Sequence, residues 1–175
     1  LGKRSDYERN PRDLYPTPLE AVLPLRGNVL PYSSFFEPCA GDGRLVKWLE
    51  ETLKLQCFGA TDIEPQNGTV IQLDANNLTQ DHVEYCDLII TNPPFAWNML
   101  KPLLDKFISL RPTLLLLPAD FMHNKRMGSY MEICESIISI GRVKWIEGSK
   151  TAGVDNYAWY LFDKEHTGKT TFIGR

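Results

Sequence analysis

Clustered cysteine is the first thing this sequence lacks. Cys39, Cys57, Cys86 and Cys134 stand far apart with no C-x-x-C pair, and the three histidines are equally scattered. Zinc-ribbon and zinc-finger architectures are excluded on that ground, and no metal site is expected. Most of the cysteines fall in or beside predicted strands, where small thiols are buried, and this pattern suits a reducing cytoplasm. Long apolar runs are also missing. The most apolar stretch, Leu114-Leu115-Leu116-Leu117, suits a buried strand and is far too short for a bilayer, so no membrane association is expected. Positive charge is not in excess, the net charge being -3. A protein coated in basic residues is thereby excluded, but a local basic patch meeting phosphate is not. There is no internal repeat and no low-complexity segment. What remains is 175 residues with 43% hydrophobic and 23% charged content, the profile of one ordinary globular domain.

The order of elements is that of a doubly wound α/β protein. Residues 1–16 read as a polar, basic and aromatic arm carrying Arg4, Arg9 and Arg12, and residues 17–175 as a single domain. Pro16 and Pro18 flank Thr17, and Leu19 to Leu23 follows as a short helix. Strands are predicted at Ser34–Glu37, Gln56–Thr61, Thr69–Leu73, Tyr85–Thr91 and Thr113–Leu117. Helices are predicted at Arg44–Leu55, Met99–Ser109 and Arg126–Ile138. Two closing strands, Arg142–Glu147 and Tyr157–Phe162, are joined by the polar loop Gly148–Asn156. The alternation predicts a seven-stranded, mainly parallel sheet covered by helices on both faces, with an antiparallel C-terminal edge. In such sheets ligands sit outside the carboxyl ends of the strands.

Polar residues gather at those ends. The first strand runs into Glu37-Pro38-Cys39-Ala40-Gly41-Asp42-Gly43, where two glycines let backbone amides approach a ligand at a helix N-terminus. Alone, this is equally well a strand-to-helix turn that merely needs glycine. It is not the G-x-G-x-x-G fingerprint of dinucleotide sites, because Val46 stands where the third glycine belongs. The second strand ends at Asp62-Ile63-Glu64, about twenty residues after the glycines, where carboxylates usually meet ribose hydroxyls. Asp62 is the better candidate and Glu64 the alternative. The third strand ends at Asp74-Ala75, followed by Asn76 and Asn77, which suit a turn. The fourth ends at Asn92-Pro93-Pro94-Phe95, a loop that is either a strand-to-helix breaker or a catalytic tip.

In this order and spacing, the Glu37–Gly43 and Asn92–Phe95 segments resemble the cofactor and catalytic motifs of class I S-adenosylmethionine-dependent methyltransferases that act on amino or amide nitrogen. Tyr15-Pro16-Thr17-Pro18 resembles the extra N-terminal motif of the adenine-amino branch, and the motif order resembles its gamma group, particularly the small phage and prophage enzymes. The resemblance implies S-adenosyl-L-methionine as cofactor. Glu37 would lie near its cationic methionine end, with Pro38, Ala40, Gly41 and Gly43 shaping the turn. Asp62 would accept from the ribose and Ile63 would cover one face of the adenine. Asp74 and the Ala75 amide would reach the ring edge, and Tyr15 and Thr17 the carboxylate end.

An aromatic amine hides its lone pair in the ring, so a methyl acceptor of this kind must be bent toward tetrahedral geometry. Asn92 and the Pro93 carbonyl can each take one amino hydrogen, Pro94 stiffens the loop, and Phe95 stacks on the acceptor. Adenine N6 in DNA is the expected target. RNA amino groups, a protein glutamine, or a cofactor-binding subunit or decoy without turnover are the alternatives. Arg12, Lys125, Arg126 and Lys150 are candidate phosphate contacts, and Trp97 either lines the pocket or packs its helix. No separate target-recognition domain fits in this length, which leaves room for a homodimer or an accessory specificity subunit. The setting implied is the cytoplasm of a bacterium or a phage-infected host.

Overall fold

The computed structural model describes residues 15–29, 31–146 and 153–175. Its centre is a sheet of eight strands: β1 (Ser34–Glu37), β2 (Gln56–Asp62), β3 (Ile71–Gln72), β4 (Leu88–Thr91), β5 (Thr113–Pro118), β6 (Cys134–Arg142), β7 (Asn156–Phe162) and β8 (Thr171–Ile173). They lie in the order β3-β2-β1-β4-β5-β7-β6-β8. All neighbours pair parallel except β7, which runs antiparallel to both β5 and β6. That strand supplies the antiparallel pairing expected toward the C-terminal side.

The strands sort their side chains between two cores because successive residues point to opposite faces. In β5, Leu114 and Leu116 join one apolar cluster and Leu115 and Leu117 the other. In β4, Leu88 and Ile90 part from Ile89 in the same way. The first cluster is covered by α1 (Leu19–Val22) and α2 (Arg44–Leu53), through Ala21, Val22, Leu45 and Leu49. The second is covered by α3 (Trp97–Leu110), whose Leu100, Leu103, Leu104 and Phe107 recur at helical spacing. Each such buried leucine contributes roughly 1.5–3 kcal/mol by leaving water. The register of β1 against β4 is pinned by Asp87, whose carboxylate accepts from Ser33 N at 2.9 Å, Ser33 Oγ at 2.8 Å and Ser34 N at 3.1 Å.

Five expectations need correction. The sheet has eight strands, since β8 adds to the outer edge of β6. The helix expected over Arg126–Ile138 is only α4 (Gly128–Met131), and the chain then turns into β6. Cys134, Ser136, Ile137, Ile138 and Ile140 are buried there because β6 lies inside the sheet with apolar contacts on both faces, so its apolar residues do not alternate as they would in a half-buried strand. The strand expected over Arg142–Glu147 is displaced: β6 ends at Arg142, and 143–146 is not strand. The third strand shrinks to Ile71–Gln72 and the fourth begins at Leu88. No helix among the described residues is long and apolar enough to cross a membrane.

Candidate active site

The strand order reverses between β1 and β4, and the carboxyl ends of these two neighbours open the crevice where doubly wound sheets hold ligands. Glu37 closes β1, Asp62 closes β2, and Asn92 follows β4, so the sheet itself brings the three motifs to one edge.

The glycine turn is tied down through its own backbone: Gly41 is buried with its amide donating to Asp62 Oδ2 at 2.8 Å, and Gly43 N donates to the Ala40 carbonyl at 2.7 Å. Gly41 and Gly43 have φ of 54° and 77°, a left-handed conformation that other residues adopt at a cost. A Cβ on Gly43 would stand 2.8 Å from Asn67 Nδ2. Asn67 bridges the turn to the next loop: its Nδ2 donates to the Asp42 carbonyl, and its Oδ1 accepts from Thr69 N at 2.8 Å and Thr69 Oγ1 at 2.7 Å. Gln66 N donates to the Gly41 carbonyl at 2.9 Å. Gly43 is the N-cap of α2, and Asp42 just before it accepts from Arg44 N at 3.0 Å. Nothing in the sequence marks Asn67 for this work, because the bond joins loops that meet only after β1 and β2 pair.

Asp62 is buried and both its oxygens are engaged. Oδ2 accepts from Gly41 N at 2.8 Å and Oδ1 from Glu64 N at 2.8 Å. Each oxygen keeps a second acceptor direction, so a diol can still be bound there. Ile63 beside it is 53% exposed, an uncovered apolar face at a strand end. Asp74 sits half-buried at the mouth of a short turn, and its Oδ1 accepts from Asn76 N at 2.9 Å and Nδ2 at 3.0 Å. Asn76 thus does turn work, while the Ala75 side chain is buried.

Glu37 is 1% exposed, and its Oε2 has no hydrogen-bond partner among the described residues. Burial, followed by the nearby Asp62 and Asp42 carboxylates, raises its carboxyl well above the ordinary value. The Cys39 thiol is likewise pushed up, first by burial and then by Asp62 and Glu37, with Asp74 adding a smaller push. A buried carboxyl oxygen without a donor, among further carboxylates, fits a ligand that presents a cation.

The Asn92–Phe95 loop meets the Tyr15–Pro18 segment directly. Asn92 Nδ2 donates to the Tyr15 carbonyl and to Thr17 Oγ1, each at 3.2 Å. A backbone carbonyl can only accept, which fixes the amide's orientation and leaves Oδ1 as its acceptor. Thr17 is itself buried, held by the anchoring of α1: Trp159 Nε1 donates to Ala21 O at 2.7 Å, and Lys144 N to Glu20 Oε1 at 2.7 Å. Pro93 is buried and Pro94 half-buried. Phe95 lies 5.9 Å from Tyr157 between ring centroids, Tyr157 lies 4.9 Å from Trp145, and Trp145 lies 6.3 Å from Tyr15. This aromatic row behind the loop is invisible in the sequence, since Trp145 and Tyr157 reach Phe95 only through the β6–β7 hairpin.

The remaining candidates lie to one side. Trp97 is half-buried, edge-on to Tyr130 at 6.4 Å, with Arg126 over its ring at 5.7 Å. It packs α3 against the apolar core, the second of its two readings. Lys125 and Arg126 are exposed. Arg12 and Lys150 lie outside the described residues, as do Arg4 and Arg9. A hollow of about 350 Å³ lined by Asp42, Gly43, Arg44, Lys47, Trp48, Asn67 and Thr69 adjoins the glycine turn but includes none of Glu37, Asp62, Asp74 or Asn92. It lies apart from the convergence of motifs.

Solved structures share this architecture. The chain matches a Pyrococcus horikoshii protein described as an RNA methyltransferase with a TM-score of 0.56 and 16% identity, over 93% of each chain. It matches a Listeria monocytogenes protein assigned to the class I S-adenosylmethionine-dependent methyltransferases with a TM-score of 0.55 and 10% identity. That match covers 81% of this chain and 58% of the other, so this chain spans less than two thirds of that protein's length. A precorrin-6Y C5,15-methyltransferase of Geobacter metallireducens gives 0.50 and 11%, over 83% and 87%. No protein-family model and no curated protein matches the sequence. The fold is that of the class I methyltransferases, Rossmann-like with a mainly parallel sheet.

Proposed function

We propose that this chain is an S-adenosylmethionine-dependent N-methyltransferase whose acceptor is the exocyclic N6 amino group of adenine in DNA. The observation that carries this reading is the meeting, at the carboxyl ends of β1, β2 and β4, of a carboxylate-lined glycine turn with an asparagine whose amide is oriented to accept. Glu37 would face the cofactor's cationic end and Asp62 its ribose, Ile63 would cover the adenine, and Asp74 and Ala75 its edge. Gly41 and Gly43 let the turn approach, and Pro38 and Ala40 shape it.

When bound, the cofactor would supply a methyl group on a sulfonium centre. The chain's own contribution is geometric and electrostatic. Asn92 Oδ1 and the Pro93 carbonyl accept the two amino hydrogens, which bends the nitrogen and frees its lone pair from the ring. The same carbonyl dipoles stabilise positive charge developing on that nitrogen. Phe95, backed by Tyr157, stacks on the ring and holds the amine in line. No strong base is needed, because the methylated nitrogen becomes acidic enough to pass its proton to water.

Lys125 and Arg126 stand on the Trp97 side of the loop, where phosphates flanking an extruded base would pass. A partner subunit or second copy would add sequence specificity. Asn92→Ala and Asp62→Ala separate the roles: the first keeps cofactor affinity and loses turnover, the second loses affinity. Equal loss of binding in both, measured by calorimetry beside methyl transfer to DNA, would refute the assignment.

A further inference from the structure

Thr17 accepts from Asn92 Nδ2 at 3.2 Å while itself 4% exposed, and the Tyr15 carbonyl takes the other share of the same amide nitrogen. Nδ2 has two hydrogens, and both are directed away from the crevice by these acceptors. Without them the amide is free to rotate, and a flipped Asn92 would present N–H groups to an amine that is also a donor. Two donors facing each other cannot bind, so the flip abolishes the acceptor pair on which the chemistry rests.

We propose that Thr17 is a positioning residue for the methyl transfer itself: its hydroxyl, with the Tyr15 carbonyl, locks Asn92 in the orientation that offers Oδ1 to the acceptor amine. This rests on the reading of Asn92 as the group that binds the amine, and it goes beyond the cofactor-contact role that the motif implies for Thr17. Thr17 is well placed for the task. Pro16 and Pro18 restrict the backbone on either side, and Ala21 and Val22 just beyond are buried. The hydroxyl hydrogen stays available to a second acceptor, so a contact to the cofactor does not compete with the bond from Asn92.

The test uses the full chain, adenine-containing duplex DNA and three proteins: wild type, Thr17→Val and Thr17→Ser. Valine keeps shape and removes the hydroxyl, so Asn92 loses one of its two acceptors. The single-turnover rate at saturating S-adenosylmethionine, where cofactor affinity no longer matters, falls about tenfold or more in Thr17→Val, and Thr17→Ser restores most of the rate. A saturating rate within about threefold of wild type, with only the cofactor Kd raised, would overturn the proposal, because Thr17 would then act through the cofactor alone. A second readout needs no turnover: the Asn92 side-chain amide, assigned in nitrogen-edited NMR spectra by its loss in Asn92→Asp. Its protons exchange with solvent about tenfold faster in Thr17→Val if the bond is real, and at the wild-type rate if it is not. Should wild type methylate no nucleic acid, the reading of the acceptor fails separately, and the exchange rate still decides whether Thr17 holds Asn92.

Discussion

The carboxylate of Asp62 and the backbone amide of Gly41 are joined by a 2.8 Å hydrogen bond, so the end of β2 is fastened to the glycine turn that follows β1. The other carboxylate oxygen holds the Glu64 amide at 2.8 Å. Asp62 therefore shapes the turn as well as facing it. Asp62→Ala orphans two amides at a buried site and should cost about 2–4 kcal/mol of stability in addition to cofactor affinity. Urea denaturation checks the first and calorimetry the second. Unchanged stability would mean that the carboxylate serves the ligand alone.

Gly43 makes a second test of the turn. Alanine there must hold φ near 77° and push its Cβ to 2.8 Å from Asn67 Nδ2. Gly43→Ala should lose roughly 1–3 kcal/mol of stability and weaken cofactor binding, because the Asn67 bridge has to move. A melt within error of wild type would argue that the turn is more plastic than its geometry implies.

Glu37 gives a pH signature. The folded chain keeps a proton on this buried carboxyl that the unfolded chain releases above about 4.5. The folded state therefore binds more protons in that range, and stability falls as pH rises from there toward the raised value. Glu37→Gln removes the penalty: its melting temperature should match wild type near about pH 4 and exceed it near about pH 8. The same variant should bind S-adenosylmethionine more weakly, since the carboxyl can release its proton to pair with a cation and the amide cannot. A glutamine variant less stable than wild type at both pH values would contradict the direction of the shift.

Phe95 and Arg126 separate acceptor contacts from cofactor contacts. Phe95→Ala should forfeit about 1–3 kcal/mol of acceptor binding, visible as a higher KM, with cofactor Kd unchanged. Arg126→Ala should weaken nucleic-acid binding alike across sequences and reduce the slope of log affinity against log salt by about 1. If Arg126→Ala leaves that slope as it was, its guanidinium serves Trp97 and not a phosphate.

The elements that position the site were legible because each carries its signal locally. Ser34–Glu37 is a buried strand stopped by a glycine turn, and Thr113–Pro118 is an apolar run too short for a helix. Asn92-Pro93-Pro94-Phe95 and Asp62 could be placed at strand ends for the same reason. β6 was not legible: adjacent Ile137 and Ile138 imitate helical spacing when a strand is buried on both faces. β8 is a short edge strand with mostly exposed residues, too brief for any period to show. The contacts of Asn67, Trp145 and Tyr157 depend on loops and a hairpin meeting across the fold. Asn92's bond to Thr17 belongs with them, since 75 residues separate the partners and only the pairing of motifs hinted at it.

Transfer of a labelled methyl group from S-adenosylmethionine to duplex DNA, total RNA and a protein extract, with identification of the modified residue, tests the central claim most directly. The account predicts label in DNA as N6-methyladenine, abolished by Asn92→Ala. Label confined to RNA or to protein glutamine would contradict the acceptor assignment while sparing the site, and bound cofactor with no label in any pool would contradict turnover by this chain on its own.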